Sequence, residues 1–288
     1  MFKFHPTRVD FDNSLGAGSF GEIFPYPRTP QDQKWVVKRV VAKNVDTLIS
    51  SIQEVVLGFA CDHPCVVPVK GYFIQKIESS KLFQLYLKVP RMKESLFKNF
   101  KDRKEINKPF TQEEIIKHFY SLVCGLRYLH HKKIYHGDIH HENLLLDESG
   151  NLKIGDVGIA KHVEDEDSYQ TIMGQIGLPL YTAPEIFGER VKKGTLPKAD
   201  IWSLGVVILE LCLFEYKLLH KVSQLSEAEL QAKIDGLLGR PLTRDLGSLK
   251  SSVRRMLCLN PKERPSLDEI KSELEKKFPQ ILVNSNSV

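Results

Sequence analysis

The sequence predicts an α+β fold in which a small antiparallel β-sheet with one helix precedes a larger, mainly helical part. Two observations predict it. The first ~90 residues combine short apolar–polar alternation with glycine and proline breaks, whereas later segments have apolar residues at helical spacing behind clear capping signals. With 288 residues, 42% of them hydrophobic, the chain can build a core of this size.

In the first part, strands are expected at residues 8–15, 20–26, 35–41, 66–74 and 82–89. Residues 46–60 have their apolar side chains at helical spacing and predict the single helix. Pro90 lacks a backbone donor and marks the end of strand pairing.

In the second part, three capping signals predict helix starts. Thr111 with Glu114 and Ser226 with Glu229 form capping boxes, and Ser266 can cap a helix that ends near Lys277. Residues 201–214 are nearly all apolar and predict a helix buried on most sides, while residues 283–288 are expected to fray.

Composition excludes several functional classes. The net charge of +5 comes from 41 basic and 36 acidic residues spread along the chain, which is too diffuse for a nucleic-acid partner. The five cysteines form no CxxC pair, which indicates a reducing compartment and neither disulfides nor a zinc knuckle. No apolar run approaches the ~18 residues of a membrane span, so we expect a cytoplasmic protein without a membrane partner.

A GxGxxG motif stands between two predicted strands, at Gly16, Gly18 and Gly21. A dinucleotide-binding motif would open a helix, whereas a hairpin can fold over phosphates and offer unobstructed backbone N–H groups. Taken alone, the motif is weak evidence, and a plain glycine hairpin is the favoured interpretation.

Lys38 lies on an apolar strand face with Val36 and Val40. A buried ammonium needs a partner, and Glu54 is the only glutamate of the following helix. The alternative is a surface lysine that extends its amine to solvent.

Residues 134–143 carry the strongest chemical signal. Asp138 and Asn143 stand five residues apart on a loop before an apolar strand, where Asp138 can accept the proton of an attacking hydroxyl and Asn143 can bind a metal. Asp156 follows thirteen residues after Asn143, behind another short strand, and can hold Mg²⁺ at the terminal phosphates.

These motifs resemble those of eukaryotic-type protein kinases, in the family's order and spacing, with an atypical His-Gly-Asp catalytic loop. The resemblance covers residues 9–278 and includes Ala183-Pro-Glu185, the Asp200-Ile-Trp-Ser-Leu-Gly segment and Arg264. It implies that Asp200 holds the backbone of the catalytic loop and that Arg264 pairs with Glu185.

The resemblance implies a bilobal kinase fold with an N-lobe at about 9–89, a hinge at about 90–93, a C-lobe at about 94–278 and a tail at 279–288. It implies ATP as cosubstrate, Mg²⁺ (or Mn²⁺) as the metal, and a protein as the phosphate acceptor. Hinge residues 90–93 would bind adenine through their backbone, with Val89 behind it. The expected nucleotide contacts are Leu15, Gly16, Ala17, Gly18, Ser19, Phe20, Gly21, Ile23, Val36, Lys38, Val89 and Leu145.

By the same resemblance, Lys38 and Glu54 position the α- and β-phosphates. Asn143 and Asp156 hold the metal, and Asp138 serves the acceptor hydroxyl.

Five positions depart from the family pattern. Gly137 replaces the arginine that binds an activation-loop phosphate, so we expect activity independent of loop phosphorylation. His140 replaces a lysine that contacts the γ-phosphate, and Leu178 replaces a threonine, so reduced turnover is expected. Val36 and Val157 change only the packing, at positions usually held by alanine and phenylalanine.

Three functions remain open on this basis. An active serine/threonine kinase is favoured because the charged set is complete, and a regulatory protein partner is compatible with the altered switch. An ATP-binding pseudokinase that acts as a scaffold or allosteric partner is the alternative. A small-molecule kinase is disfavoured by Ala183-Pro-Glu185, and a tyrosine kinase by the absence of its usual catalytic-loop insertion.

Overall fold

A computed structural model describes residues 6–18, 21–26, 34–77, 82–157, 161–162, 180–187, 194–220, 222–240 and 247–282. The chain divides into two compact units. Unit 1 comprises Met1–Lys93 and Gly155–Ile159, and unit 2 comprises Glu94–Ile154 and Ala160–Val288. Unit 1 is an antiparallel sheet with one long helix and unit 2 is mainly helical, which confirms the predicted α+β class.

Unit 1 is built from a sheet and a helix, with the elements β1 Gly16–Gly18, β2 Gly21–Tyr26, β3 Trp35–Ala42, α1 Val45–Ala60, β4 Gly71–Lys76 and β5 Phe83–Pro90. The sheet has the order β1-β2-β3-β5-β4, and every neighbouring pair is antiparallel. In this register, Lys38 on β3 lies opposite Ile23 and Leu87 on its two neighbours. Helix α1 follows β3 and is capped by Asn44, whose side chain accepts from the N–H of Thr47.

Alternation along β3 and β5 gives the sheet two apolar faces. One face packs against α1 through a cluster that includes Leu85, Leu87 and Val55. The opposite face is closed by aromatic residues and by Val9 from the segment before β1. Both faces are therefore buried, which holds β3 in a fixed position.

Two strand predictions in this unit are wrong in extent. Residues 8–15 form no strand, because Asn13 Nδ2 donates to Asp10 Oδ2 at 2.9 Å and closes a turn. The segment still reaches the sheet edge, where Asp10 N–H donates to Pro25 O at 3.1 Å. Strand β4 begins only at Gly71, because residues 67–70 run along α1 as a loop in which Val69 N–H donates to Gly58 O at 3.3 Å.

Unit 2 has seven α-helices among its described residues. They are α2 Leu96–Glu105, α3 Gln112–His131, α4 Thr195–Leu213, α5 Glu227–Gly239, α6 Gly247–Met256, α7 Leu267–Lys277 and α8 Pro279–Leu282. The capping boxes predicted at Thr111 and Ser226 are confirmed, and Ser266 caps α7, which ends at Lys277 as expected. Each cap satisfies backbone donors that the first helical turn leaves unpaired.

Short strands hold the loops of unit 2. Their bounds are β6 Glu94–Ser95, β7 Ile134–Tyr135, β8 Leu144–Leu146, β9 Leu152–Ile154 and β10 Lys161–His162. Strands β6, β8 and β9 form one small sheet, and β7 pairs with β10 in another. The loop that carries Asp138 and Asn143 therefore starts and ends in a strand.

Helix α4 is the core of unit 2. Every residue from Ala199 to Leu213 is buried, Trp202 completely, which confirms the helix predicted from the apolar run at 201–214. No helix in the described part of the chain combines the length and apolarity needed to cross a membrane.

Candidate active site

The glycine hairpin is formed by β1 and β2, in which Gly16 pairs with Ile23 and Gly18 with Gly21. Gly21 has φ of +130°, and a Cβ there would lie 2.2 Å from the carbonyl oxygen of Arg39, so the sheet itself requires glycine. Gly16 is different, because an added Cβ would meet nothing within 4 Å. Ser19 and Phe20 lie outside the described residues. The same holds for the side chain of Ala17 and for the space around Gly18.

Lys38 lies at the centre of a charged cluster in unit 1. Its Nζ donates to Glu54 Oε1 at 2.7 Å and to Asp156 Oδ2 at 3.0 Å, which confirms the predicted pairing with Glu54. Burial alone would lower the pKa of Lys38, but the two carboxylates outweigh it and raise this pKa above its usual range. Lys38 is therefore a cation in this structure.

Asp156 enters this cluster in an unusual backbone conformation. Its φ is +51°, in a region that non-glycine residues seldom occupy. Such a conformation persists only where surrounding contacts hold it, and here the bond to Lys38 is one of them.

Strand register determines the surroundings of the predicted adenine contacts. Val36 on β3 lies directly opposite Val89 on β5, and Val36 is buried. In the predicted hinge, Pro90 has no N–H and the N–H of Arg91 donates to Lys34 O at 2.8 Å. Met92 and Lys93 are thus the hinge residues whose N–H groups can serve an adenine.

The loop between β7 and β8 brings Asp138 and Asn143 together. Asn143 Nδ2 donates to both Asp138 Oδ2 and the Asp138 carbonyl oxygen, each at 2.9 Å. Both residues are buried, with 5% exposure each. Because the amide nitrogen makes both bonds, Oδ1 of Asn143 is the atom oriented away from Asp138.

His140 also contacts Asp138. Its Nε2 lies 3.2 Å from Asp138 Oδ2, while its Nδ1 accepts from the N–H of Glu142 at 3.3 Å. Since Nδ1 is an acceptor, the neutral ring carries its proton on Nε2 and donates it to Asp138. The residue in the usual lysine position is therefore held against the proposed catalytic carboxylate.

Asp200 on α4 fixes the backbone before Asp138. Its two carboxylate oxygens accept from the N–H groups of His136 at 2.9 Å and Gly137 at 2.8 Å, the holding role expected of it. His130 Nε2 adds a third contact at 2.7 Å. Burial would raise the pKa of Asp200, but hydrogen bonds from His130 and the loop backbone lower it, so it remains ionised.

The expected pair between Glu185 and Arg264 is present in unit 2. The two side chains form two bonds, at 2.6 and 2.7 Å, and the Arg264 side chain is fully buried. Arg264 also donates to the carbonyl oxygens of Cys258 and Lys198 and packs over the ring of Trp202. This network holds the Ala183–Glu185 segment against α4.

The structure brings the predicted residues together in two groups. Unit 1 contains the group around Lys38 and unit 2 the group around Asp138, with Leu145 in β8 opposite Ser95 and Lys153. Leu178 lies outside the described residues, and Val157 is buried. These residues are predictable from the sequence because the spacing within each motif is local in the chain.

Four contacting residues were missed. His130 binds Asp200 from the end of α3, and its proximity to the catalytic loop in sequence was the only signal. Tyr181, His141 and Glu210 form a buried cluster in which Tyr181 Oη donates to Glu210 Oε2 at 2.9 Å. The signal was a glutamate inside an otherwise apolar helix, which needs partners when buried.

Comparison with known proteins decides the family. The model of the protein kinase domain matches residues 9–274. The chain belongs to the protein kinase domain family. The α+β architecture observed here is accordingly that of the bilobal protein kinase fold, as the motif resemblance implied.

Similar kinases come from distant organisms. The chain is 30% identical over 289 residues to CBL-interacting serine/threonine-protein kinase 8 of Arabidopsis thaliana, covering 92% of this chain and 57% of that protein. It is 29% identical to serine/threonine-protein kinase polo of Drosophila melanogaster (89% and 42%) and 27% identical to serine/threonine-protein kinase Nek5 of Homo sapiens (96% and 37%). The chain thus spans about half the length of the kinases that it matches.

Proposed function

We propose that this chain is a serine/threonine protein kinase that transfers the γ-phosphate of ATP to protein hydroxyl groups. The observation that carries the proposal is the buried Lys38 ammonium, bonded to Glu54 at 2.7 Å and to Asp156 at 3.0 Å. Burying one cation and two carboxylates costs free energy, and a purely structural sheet does not require such a cluster. The names of the similar kinases support serine and threonine as acceptors.

In this proposal Lys38, positioned by Glu54, binds the α- and β-phosphates of ATP. The backbone of the glycine hairpin covers the phosphates, which accounts for glycine at position 16, where the fold itself does not demand it. Val36 and Val89 contact the adenine, and the N–H of Met92 or Lys93 donates to it.

Asn143 and Asp156 are the proposed metal ligands. Hard oxygen donors of this kind are what Mg²⁺ requires, and the orientation of the Asn143 amide leaves its Oδ1 for a cation. A bound Mg²⁺ would neutralise charge on the terminal phosphates. Mn²⁺ is compatible with the same donors.

Asp138 orients the acceptor hydroxyl and takes its proton. The bonds from Asn143 and His140 fix its carboxylate, so catalysis would rest on positioning and electrostatics. Control is proposed to be independent of a loop phosphate, because Gly137 offers no guanidinium. A cytoplasmic location and a regulatory protein partner complete the proposal.

A pseudokinase is the second candidate, and one observation favours it. In place of a lysine cation, His140 donates a hydrogen bond to Asp138 and so competes with the acceptor hydroxyl for Oδ2. In that case the chain would bind ATP and act as a scaffold or allosteric partner without transferring phosphate.

Phosphate transfer from ATP and Mg²⁺ to a generic protein substrate, followed by phosphoamino-acid analysis, tests the proposal. We expect phosphoserine and phosphothreonine, and a loss of about 10²- to 10⁴-fold in Asp138→Asn, because the proton acceptor is removed. The matched control is Asp62→Asn, the same chemical change at a side chain that is 96% exposed.

The outcomes separate the two candidates. Transfer lost in Asp138→Asn but kept in Asp62→Asn supports the kinase. Nucleotide binding without transfer in the unmodified chain indicates the pseudokinase, and transfer that is indifferent to Asp138→Asn exposes a contaminating kinase.

A further inference from the structure

Helix α1 has a second apolar face that the described structure leaves largely exposed, with Phe59 at its end also packed edge-on against Tyr72. Leu48 and Val55 pack inward against the sheet, as expected for a helix that lies on a sheet face. On the other side, five large apolar side chains are between 40% and 69% exposed. We call these the α1 stripe: Val45, Ile49, Ile52, Val56 and Phe59.

The stripe has the spacing of a helix–helix contact. Its members follow one another at intervals of four, three, four and three residues, which is the repeat that places side chains in the seam between two packed helices. Fourteen residues at 1.5 Å give a seam of about 21 Å. Single exposed apolar residues need no explanation, but five aligned on one helix do.

From Thr47 onwards, the exposed side of α1 carries no charge. Glu54 is the only charged residue between Thr47 and Ala60, and it is buried against Lys38. At 27% charged residues, the chain as a whole is ordinary. A partner selected by charge would leave complementary charges beside the stripe, whereas an uncharged apolar surface is complementary to itself.

The stripe is also nearly symmetric about its central member, Ile52. If two α1 helices pack antiparallel with the two-fold axis beside Ile52, Val45 lies opposite Phe59 of the second copy and Ile49 lies opposite its Val56. The small side chain of Val45 thereby meets the largest member of the stripe, Phe59. The two-fold axis repeats this pair at both ends of the interface.

From spacing, charge and symmetry we propose that the α1 stripe is a dimer interface between two copies of this chain. The five side chains present on the order of 400–500 Å² per copy, within the range of the largest apolar patch on typical monomers, a patch that is often functional. Two copies would bury roughly 800–1,000 Å², which reaches the lower limit of a specific interface only when the whole stripe is covered. An interface of this size is typical of weak or transient association.

The interface is independent of the proposed catalytic residues. Glu54 is five residues from Ile49 and two from Ile52, which at 100° per residue places it on the opposite side of α1 from the stripe. Substitutions on the stripe therefore leave the Lys38–Glu54 pair in place, and dimerisation can be measured without reference to activity.

Sedimentation equilibrium between about 1 and 300 µM tests the proposal. We expect a concentration-dependent dimer that is lost in Ile49→Lys and in Val56→Glu, each of which buries an unpaired charge. The double variant with both changes should recover much of the dimer, because antiparallel packing sets the introduced lysine of one copy against the introduced glutamate of the other. Ile106→Lys, at a position of 69% exposure outside the stripe, is the matched control and should dimerise normally.

Cysteine cross-linking keeps the proposal testable if a charged variant fails to fold. Ile52→Cys should form an intermolecular disulfide under mild oxidation, and Gln53→Cys, exposed but turned away from the axis, should not. A monomer at all concentrations would overturn the proposal and leave a helix of another protein as the occupant. Dimerisation that survives both single changes, or that the double change does not restore, would overturn it as well.

Discussion

At the scale of single residues, Gly137 is the informative departure from the kinase pattern. Its φ is +74°, a conformation that costs an L-residue free energy, and an added Cβ would meet no atom within 4 Å. Position 137 therefore favours glycine through its backbone conformation and not through a lack of space. The N–H of Gly137 donates to Asp200. The loop backbone is fixed without any contribution from an arginine.

Transfer activity should not depend on phosphorylation of the activation loop. We expect phosphatase-treated and untreated protein to differ by less than about twofold, because no guanidinium at position 137 binds a loop phosphate. The measurement is the initial rate of transfer after treatment, with removal of phosphate verified by intact mass. A tenfold drop after treatment would contradict this expectation.

At the scale of elements, α4 shows how an apolar helix organises the polar loops around it. Asp200 binds the catalytic loop, and Ser203 Oγ donates to Tyr181 O at 2.8 Å. Glu210 accepts from Tyr181 Oη at 2.9 Å and from the N–H of Leu218 at 3.0 Å. Three polar side chains on one buried helix thus position three separate loops.

Glu210 should make stability depend on pH. Burial raises the pKa of Glu210 to about 7, above its value near 4.5 in the unfolded chain. The protonated form is therefore favoured by folding, so its contribution is complete below pH 4.5 and is lost as pH rises through 7. His141, whose Nε2 lies 3.3 Å away, has its pKa lowered by burial to about 3 and stays neutral in this range.

Denaturant unfolding at pH 5 and pH 8 measures this effect. The unmodified chain should lose roughly 2 kcal/mol more unfolding free energy over that interval than Glu210→Gln, which cannot titrate. Equal losses in the two proteins would show that Glu210 has an ordinary pKa in the folded state.

At the scale of the whole molecule, long-range pairs close unit 2. Arg264, near the end of the fold, binds Glu185 from a segment 79 residues earlier and the carbonyl oxygen of Lys198 on α4. Its five N–H donors suit this arrangement of carboxylate and carbonyl groups, which lysine could not satisfy.

Loss of Arg264 should destabilise the fold strongly. We expect Arg264→Ala to lower the unfolding free energy by about 3–5 kcal/mol, because it leaves a carboxylate without its partner beside a cavity. Arg254→Ala is the control, since the Arg254–Asp235 pair is exposed to solvent and should contribute far less to the unfolding free energy. Similar losses in both variants, measured by chemical denaturation, would refute this ranking.

Local patterns in the chain predicted much of the fold. The capped helices α3, α5 and α7 begin where their capping residues stand, because a cap acts on the next three residues. Helices α2 and α6 were missed, since both are short and rich in basic residues and depend on packing. The strand predicted at residues 8–15 does not form, because side-chain turn bonds compete with strand pairing.

The proposed catalytic residues were predictable from sequence because phosphate transfer requires particular residue types at fixed spacing. Lys38, Asp138, Asn143 and Asp156 are all of this kind. The contacts of His130 with Asp200 and of Glu210 with Tyr181 join residues 70 and 29 positions apart, so they follow only from the way α3, α4 and the loops pack.

The sequence by itself determined the α+β class, the family motifs, the charged set and the departures at Gly137 and His140, because each is a statement about residue type and local spacing. Only the tertiary structure decided that Lys38 binds both Glu54 and Asp156, that His140 contacts Asp138, and that the α1 stripe is exposed. The physical reason is the same in each case. Burial and long-range pairing depend on which surfaces meet, and an amphipathic pattern does not say which of its apolar faces will be covered.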